Sequence, residues 1–205
     1  MIDMISCIIV AGGKSERFGM DKKFIKFKGK TFIQNVVEKA REFSDEIVVS
    51  LRKGEKIQDI NEKEGPKIAF DKETWGGPLV GICSSVDPCQ GEYIVVLSVD
   101  SPSIKPDIFK EMIRECKRYD AVIPIRKDGK LEVLHAVYNS LKLKEACLKT
   151  QEKGEHSVRD MTTHLGNVKL VDIERFRKYD PNLLTFINVN TKEELDRLVK
   201  LEKEG

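Results

Sequence analysis

Residues 4–24 read MISCIIVAGGKSERFGMDKKF, and their order decides the fold. Met4 to Val10 is an unbroken apolar run of the kind found in a central parallel strand buried on both faces. It stops at Ala11-Gly12-Gly13, and Gly19 follows within the next few residues. Such a turn lets main-chain N–H groups converge on an anion, and Lys14, Arg17, Lys22 and Lys23 crowd the same stretch. A buried strand feeding a cationic glycine loop is the start of a phosphate-binding α/β domain.

Outward from that stretch, strands and helices alternate. Thr31 to Phe43 has helical periodicity with Thr31 as N-cap, and EIVVSL (46–51) and KIAFD (67–71) are strands. A polar segment around Glu55 to Glu64 is predicted helical. Pro78 opens a helix bearing Leu79, Val80, Ile82 and Val86, and YIVVLS (93–98) is the strongest strand. Ile108 to Tyr119 is predicted helical and Ala121 to Ile125 a strand. Beyond the Asp128-Gly129 turn, Leu131 to Tyr138 is predicted to return as a hairpin strand. Helices are expected at Lys142–Lys153 and Ser157–Leu165, a strand at Val168–Ile173, and a last helix from Thr191. The pattern predicts one domain, residues 1–205, an α/β three-layer sandwich around a mostly parallel, Rossmann-like sheet.

Composition narrows the function. With 36 cations against 34 anions the chain carries no basic excess for nucleic acid. It has no apolar run long enough for a membrane span and no secretory leader pattern, so a cytoplasmic protein is expected. The cysteines at 7, 83, 89, 116 and 147 form no C-x-x-C pair, and the three histidines show no ligand spacing. Reduced thiols and no protein-built zinc site are expected.

The loop fits neither common phosphate motif. G-x-x-x-x-G-K-[ST] fails because Phe18 stands five residues after Gly13, and G-x-G-x-x-G fails because Gly12 and Gly13 are adjacent. What remains is strand–AGGKSERFGMDK (11–22). That segment resembles the N-terminal signature of Rossmann-like nucleotidyltransferases, in particular the molybdenum cofactor guanylyltransferase (MobA) family. Asp71 with GPLVG (77–81), SVDSP (98–102) and FINVNT (186–191) resemble three further family segments in the same order. Two positions depart from the pattern: Val133 stands where proline is usual, and Phe18 where methionine is usual.

The resemblance implies transfer of GMP from GTP to molybdopterin, with Mg²⁺ as cofactor and pyrophosphate released. The acceptor's phosphate is already ionised at neutral pH, so no general base is required, in keeping with the absence of an evident base–nucleophile pair. Arg17, Lys22 and Asp100 are the candidate catalytic residues, with Asp100 as metal ligand at the end of the 93–98 strand. The alternative for Asp100 is a turn cap before Pro102. Val10, Ala11, Gly12 and Gly13 are expected to offer main-chain groups to the guanine and triphosphate, and Asp71 and Gly77 to face the nucleoside. Gly81 is expected to let backbone approach ligand. Asn188 and Asn190, two apart on a strand, are candidates for the acceptor side, although Asn190 or Thr191 also suits the N-cap of the last helix. Trp75 has two open roles, stacking on a ring or packing on the neighbouring helix. His135 reads first as structural, the alternative being a side chain facing the pterin, and Lys14, Lys23 and Lys26 read as surface charge. Arg159, Arg175, Arg177 and Lys178 read first as a solvated basic face, the alternative being a patch that steers an anionic cofactor or a partner enzyme. Cytidylyl transfer, transfer to a sugar phosphate, and a non-catalytic nucleotide or pterin carrier remain the competing readings.

Overall fold

The computed structural model describes residues 3–12, 21–57, 65–72 and 77–204. Strand β1 (Ile5–Val10) leads through a 3₁₀ turn at Lys22–Phe24 and a small hairpin, β2 (Lys26–Phe27) with β3 (Lys30–Thr31), into α1 (Phe32–Ala40). β4 (Glu46–Leu51), β5 (Lys67–Phe70), α2 (Pro78–Val86), β6 (Tyr93–Ser98), α3 (Pro106–Cys116) and β7 (Ala121–Ile125) follow. The chain closes with β8 (His135–Asn139), α4 (Ser140–Glu152), α5 (Val158–Thr163), β9 (Val168–Asp172), 3₁₀ turns at Ile173–Lys178 and Leu184–Phe186, and α6 (Lys192–Glu204).

Seven strands form one sheet in the order β5-β4-β1-β6-β8-β7-β9, in which β8 alone runs antiparallel. β1 is completely covered at Cys7, Ile8 and Ile9, as the unbroken apolar run requires. Odd-numbered β1 residues, α1 and α3 build one core layer with Phe32, Val36 and Phe109, while Ile8, α2, α4 and α5 build the other. Because β1 lies between β4 and β6, the connections leave it in opposite directions. A crevice therefore opens at the carboxyl ends of β1 and β6, the position where open α/β sheets hold ligands.

Local signals explain most boundaries. Thr31 and Gln34 form a reciprocal capping box on α1, and Pro106 occupies the first turn of α3, two residues before the predicted start. Two expectations change, and a third lies mostly outside the described residues. Leu131–Tyr138 is not one strand: only a bridge joins Ile125 to Leu131, and a turn closed by the His135 amide on the Glu132 carbonyl precedes β8. That turn lets Glu132 bury its carboxylate, and β8 enters between β6 and β7, pairing antiparallel with both. Residues 187–190 belong to no strand. Of the predicted Glu55–Glu64 helix, Glu55 to Ile57 are irregular and residues 58–64 lie outside those described.

Candidate active site

The crevice is lined by the ends of β1 and β6 and by the 186–191 segment, which crosses close to Asp100. The Val99 amide donates to the Val10 carbonyl at 3.1 Å, and the Val189 amide donates to the Asp100 carbonyl at 2.8 Å. Two hydrogen bonds thus fix three distant parts of the sequence to each other.

Side chains converge on the same place. Lys22 Nζ donates to Asp100 Oδ2 at 2.9 Å and to Asn190 Oδ1 at 2.5 Å. Ser98 Oγ donates to Asp100 Oδ1 at 2.6 Å, so both carboxylate oxygens are held. Ser101 Oγ donates to Asn188 Oδ1 at 2.7 Å. The Lys22 and Asp100 side chains are only 16% and 14% exposed, which strengthens their attraction relative to a surface pair while leaving a face open to ligand. Asn190 does not cap the last helix. Thr191 does: its hydroxyl accepts from the Glu194 amide at 3.2 Å, and Glu194 Oε2 accepts from the Thr191 amide at 3.0 Å. That cap frees the Asn190 side chain for Lys22.

On the other side of β1, Asp71 follows β5 and accepts from Ser50 Oγ at 2.7 Å. Burial pushes its carboxyl above the usual range, and the Ser50 hydroxyl and the Arg52 charge offset this only in part. Gly12 stands against it, since a β-carbon there would lie 3.1 Å from Asp71 Oδ2. Gly77 caps α2 at φ 52, ψ −132, a conformation that disfavours any side chain. Gly81 corrects its sequence reading: its missing β-carbon would sit 2.7 Å from Ser50 Oγ and 3.2 Å from a Val10 methyl. The close approach is between α2 and the sheet.

Lys23 is the other correction. It is 1% exposed, with Nζ paired to Glu55 at 3.0 Å and to Asp21. Successive lysines therefore hold opposite walls of the crevice, Lys22 the β6 side and Lys23 the β4–β5 connection, where Glu55 also accepts from the Arg52 amide. A lysine in a charged run offers no sign of burial; only its neighbour Asp21 and the distant Glu55 make it tolerable.

Gly13, Lys14, Arg17 and Trp75 lie outside the described residues. Lys26 is exposed, as expected. The basic face is largely neutralised: Arg175 pairs with Glu111 and Glu115, Lys178 with Glu111 at 2.7 Å, and Arg177 with Glu174 at 3.0 Å. Arg159 is exposed on α5. His135 is 1% exposed and meets the Phe186 ring edge-on at 5.8 Å between centroids. The five cysteines are free thiols, and no group of three or more metal-ligating side chains occurs among the described residues. Nor is any described helix long and apolar enough to cross a membrane.

Residues 7–168 match the family described as MobA-like NTP transferase domain. The chain belongs to this family. It is 32% identical to the probable molybdenum cofactor guanylyltransferase of Methanosarcina mazei, over 97% of this chain and 92% of that one. It is 31% identical to the molybdenum cofactor guanylyltransferase of Desulfosudis oleivorans, covering 100% and 98% of the two chains. The crystal structure of molybdopterin-guanine dinucleotide biosynthesis protein A from Archaeoglobus fulgidus superposes with a TM-score of 0.78 at 25% identity, over 98% of this chain and 100% of that one. A Thermus thermophilus 2-C-methyl-D-erythritol 4-phosphate cytidylyltransferase shares the fold at 15% identity, over 96% and 98% of the two chains, with a TM-score of 0.70. The MobA-like nucleotidyltransferase fold expected from the sequence is the fold observed.

Proposed function

We propose that the protein transfers GMP from GTP to molybdopterin, forming molybdopterin guanine dinucleotide and pyrophosphate. The observation that carries this reading is the convergence of Lys22, Asp100 and Asn190 at the carboxyl ends of β1 and β6 in a chain of the MobA-like family. A phosphate oxygen of the acceptor attacks the α-phosphorus of GTP; the new O–P bond forms as the bond to the β-phosphate oxygen breaks. Such transfer needs alignment and charge neutralisation more than proton transfer. Lys22 neutralises charge on the triphosphate, and Arg17 is proposed for the same task.

Asp100 is the proposed Mg²⁺ ligand. The local donor set fits a hard cation, because it consists of a carboxylate with amide oxygens of Asn188 and Asn190 close by. Bound there, Mg²⁺ would supply charge neutralisation on the phosphates. Ser98 keeps the Asp100 carboxylate oriented. Asp71 and Gly77 are proposed for the nucleoside side. The Ala11 amide is already engaged by the Ser50 carbonyl at 3.1 Å, and Val10 offers a carbonyl already used by Val99. Base contacts are therefore proposed for the Ala11 carbonyl and Gly12. Asn188 and Asn190 orient the acceptor.

Replacing Asp100 by Asn tests the assignment. Pyrophosphate release with GTP, Mg²⁺ and molybdopterin should fall by about a hundredfold or more while circular dichroism stays native. Near-normal turnover would remove Asp100 from the metal site.

A further inference from the structure

Arg126, Glu132 and His135 form a cluster at the same end of the sheet as Asp100 that the reaction above does not use. Arg126 follows directly on β7, which runs parallel to β6, so its side chain starts from the carboxyl edge of the sheet on the β8–β7 side. Its Nε donates to Glu132 Oε1, and its Nη2 donates to the main-chain carbonyl of Phe186. Glu132 is 4% exposed, and its second oxygen lies 3.5 Å from His135 Nδ1. Both His135 ring nitrogens are buried without a hydrogen-bond partner among the described residues, so Glu132 faces Nδ1 as a near charge only. The His135 ring packs edge-on against Phe186, whose other side meets Phe176.

Phe186 begins the segment that carries Asn188 and Asn190. Downstream, that segment is held by the Asp100 carbonyl at Val189, by Ser101 at Asn188, and by Lys22 at Asn190. Of these, the Lys22 tie lies where a bound nucleotide would compete for the ammonium, whereas Val189 and Ser101 are fully buried. The ties at Phe186 lie outside that competition. A guanidinium held by a buried carboxylate is a rigid anchor, because its planar fork leaves little freedom once two donors are fixed.

We propose that Arg126, oriented by Glu132 and backed by His135, is a positioning residue: it fixes the upstream end of the 186–190 segment so that Asn188 and Asn190 stay aligned on the phosphate-bearing acceptor when Lys22 turns to the nucleotide. This rests on the proposed guanylyl transfer for its kinetic consequence, though not for its structural one.

The test uses Arg126→Lys, which keeps the charge and loses the fork, and Glu132→Gln, which keeps the shape and loses the charge. In the ligand-free protein, amide hydrogen exchange at Val189 should rise at least tenfold in either variant, with β1 and β4 unchanged. With substrates, KM for the acceptor should rise about tenfold while KM for GTP stays within twofold. Unchanged exchange at Val189, or equal increases in both KM values, would overturn the proposal. A wild-type protein that gives no product from GTP and molybdopterin would sink the proposed reaction instead, and the exchange result would still judge the anchor.

Discussion

The two halves of the sheet are built on different rules. In the parallel half, β5-β4-β1-β6, the crevice end is set mainly by main chain and missing side chains, Gly12 against Asp71, Gly81 against Ser50 and the Ala11 amide on the Ser50 carbonyl, with buried ion pairs at Lys23 and Glu46 behind them. In the mixed half, β8-β7-β9, it is set by charge: Arg126 with Glu132 and Phe186, and Arg175 and Lys178 with Glu111. The first arrangement suits a base read through backbone groups, which leave little room for tuning. The second can be retuned by exchanging side chains.

Breaking the buried lysine that ties the 21–24 turn to the parallel half should have the largest effect on stability. Lys23→Met would leave Asp21 and Glu55 without their shared cation, and should cost about 3 kcal/mol in a urea titration. Gly81→Ala tests the volume rule. Its β-carbon would enter the Ser50–Val10 contact, which should cost about 1–2 kcal/mol and weaken GTP binding through Asp71, with acceptor binding unaffected. A loss confined to acceptor binding would break the comparison.

Acid separates the halves more gently. Burial would push the Glu132 carboxyl up, but His135 and Arg126 outweigh it and hold it at about 2. Glu111 is likewise held at about 2, burial being outweighed by Lys178, Tyr179 and Arg175. Both sit below their unfolded value of 4.5, so their stabilisation is complete above it and is lost as pH falls from about 5 toward 2. Asp71 is shifted the other way, so its ionised form costs stability in the folded state and its protonation on acidification relieves that cost. Glu46 on β4 is also held below its usual range, burial being outweighed by Lys67, Ser6 and the Gln90 amide, so β4 is acid-sensitive too. Exchange measured from pH 6 to pH 3 should therefore show β7 and β8 losing protection before β1, and loss in β1 together with β7 and β8 would contradict the division.

Much of this was legible in the sequence, and unevenly. The parallel half could be read because each of its strands is a short apolar run and its turns are glycines, signals that are local. Lys22, Asp100 and Asn190 could be named because ordered motifs carry them, and the structure brings those three together. The mixed half was harder. Leu131 to Tyr138 alternates like a strand, yet burying the Glu132 carboxylate against Arg126 bends it into a turn. That pair is six residues apart and looks like ordinary surface charge until the fold buries it. Lys23 was misread for the same reason, since its partner Glu55 is thirty-two residues away. Burial of charge is a tertiary fact, and no local period announces it.

The most direct test of the central claim is a nucleotide panel. The protein is incubated with Mg²⁺, molybdopterin and each α-labelled nucleoside triphosphate in turn, and both pyrophosphate and labelled pterin product are measured. Guanylyl transfer predicts label in the pterin product from GTP alone, with one pyrophosphate released for each. Label transferred from CTP instead, or GTP bound without any pyrophosphate, would contradict it.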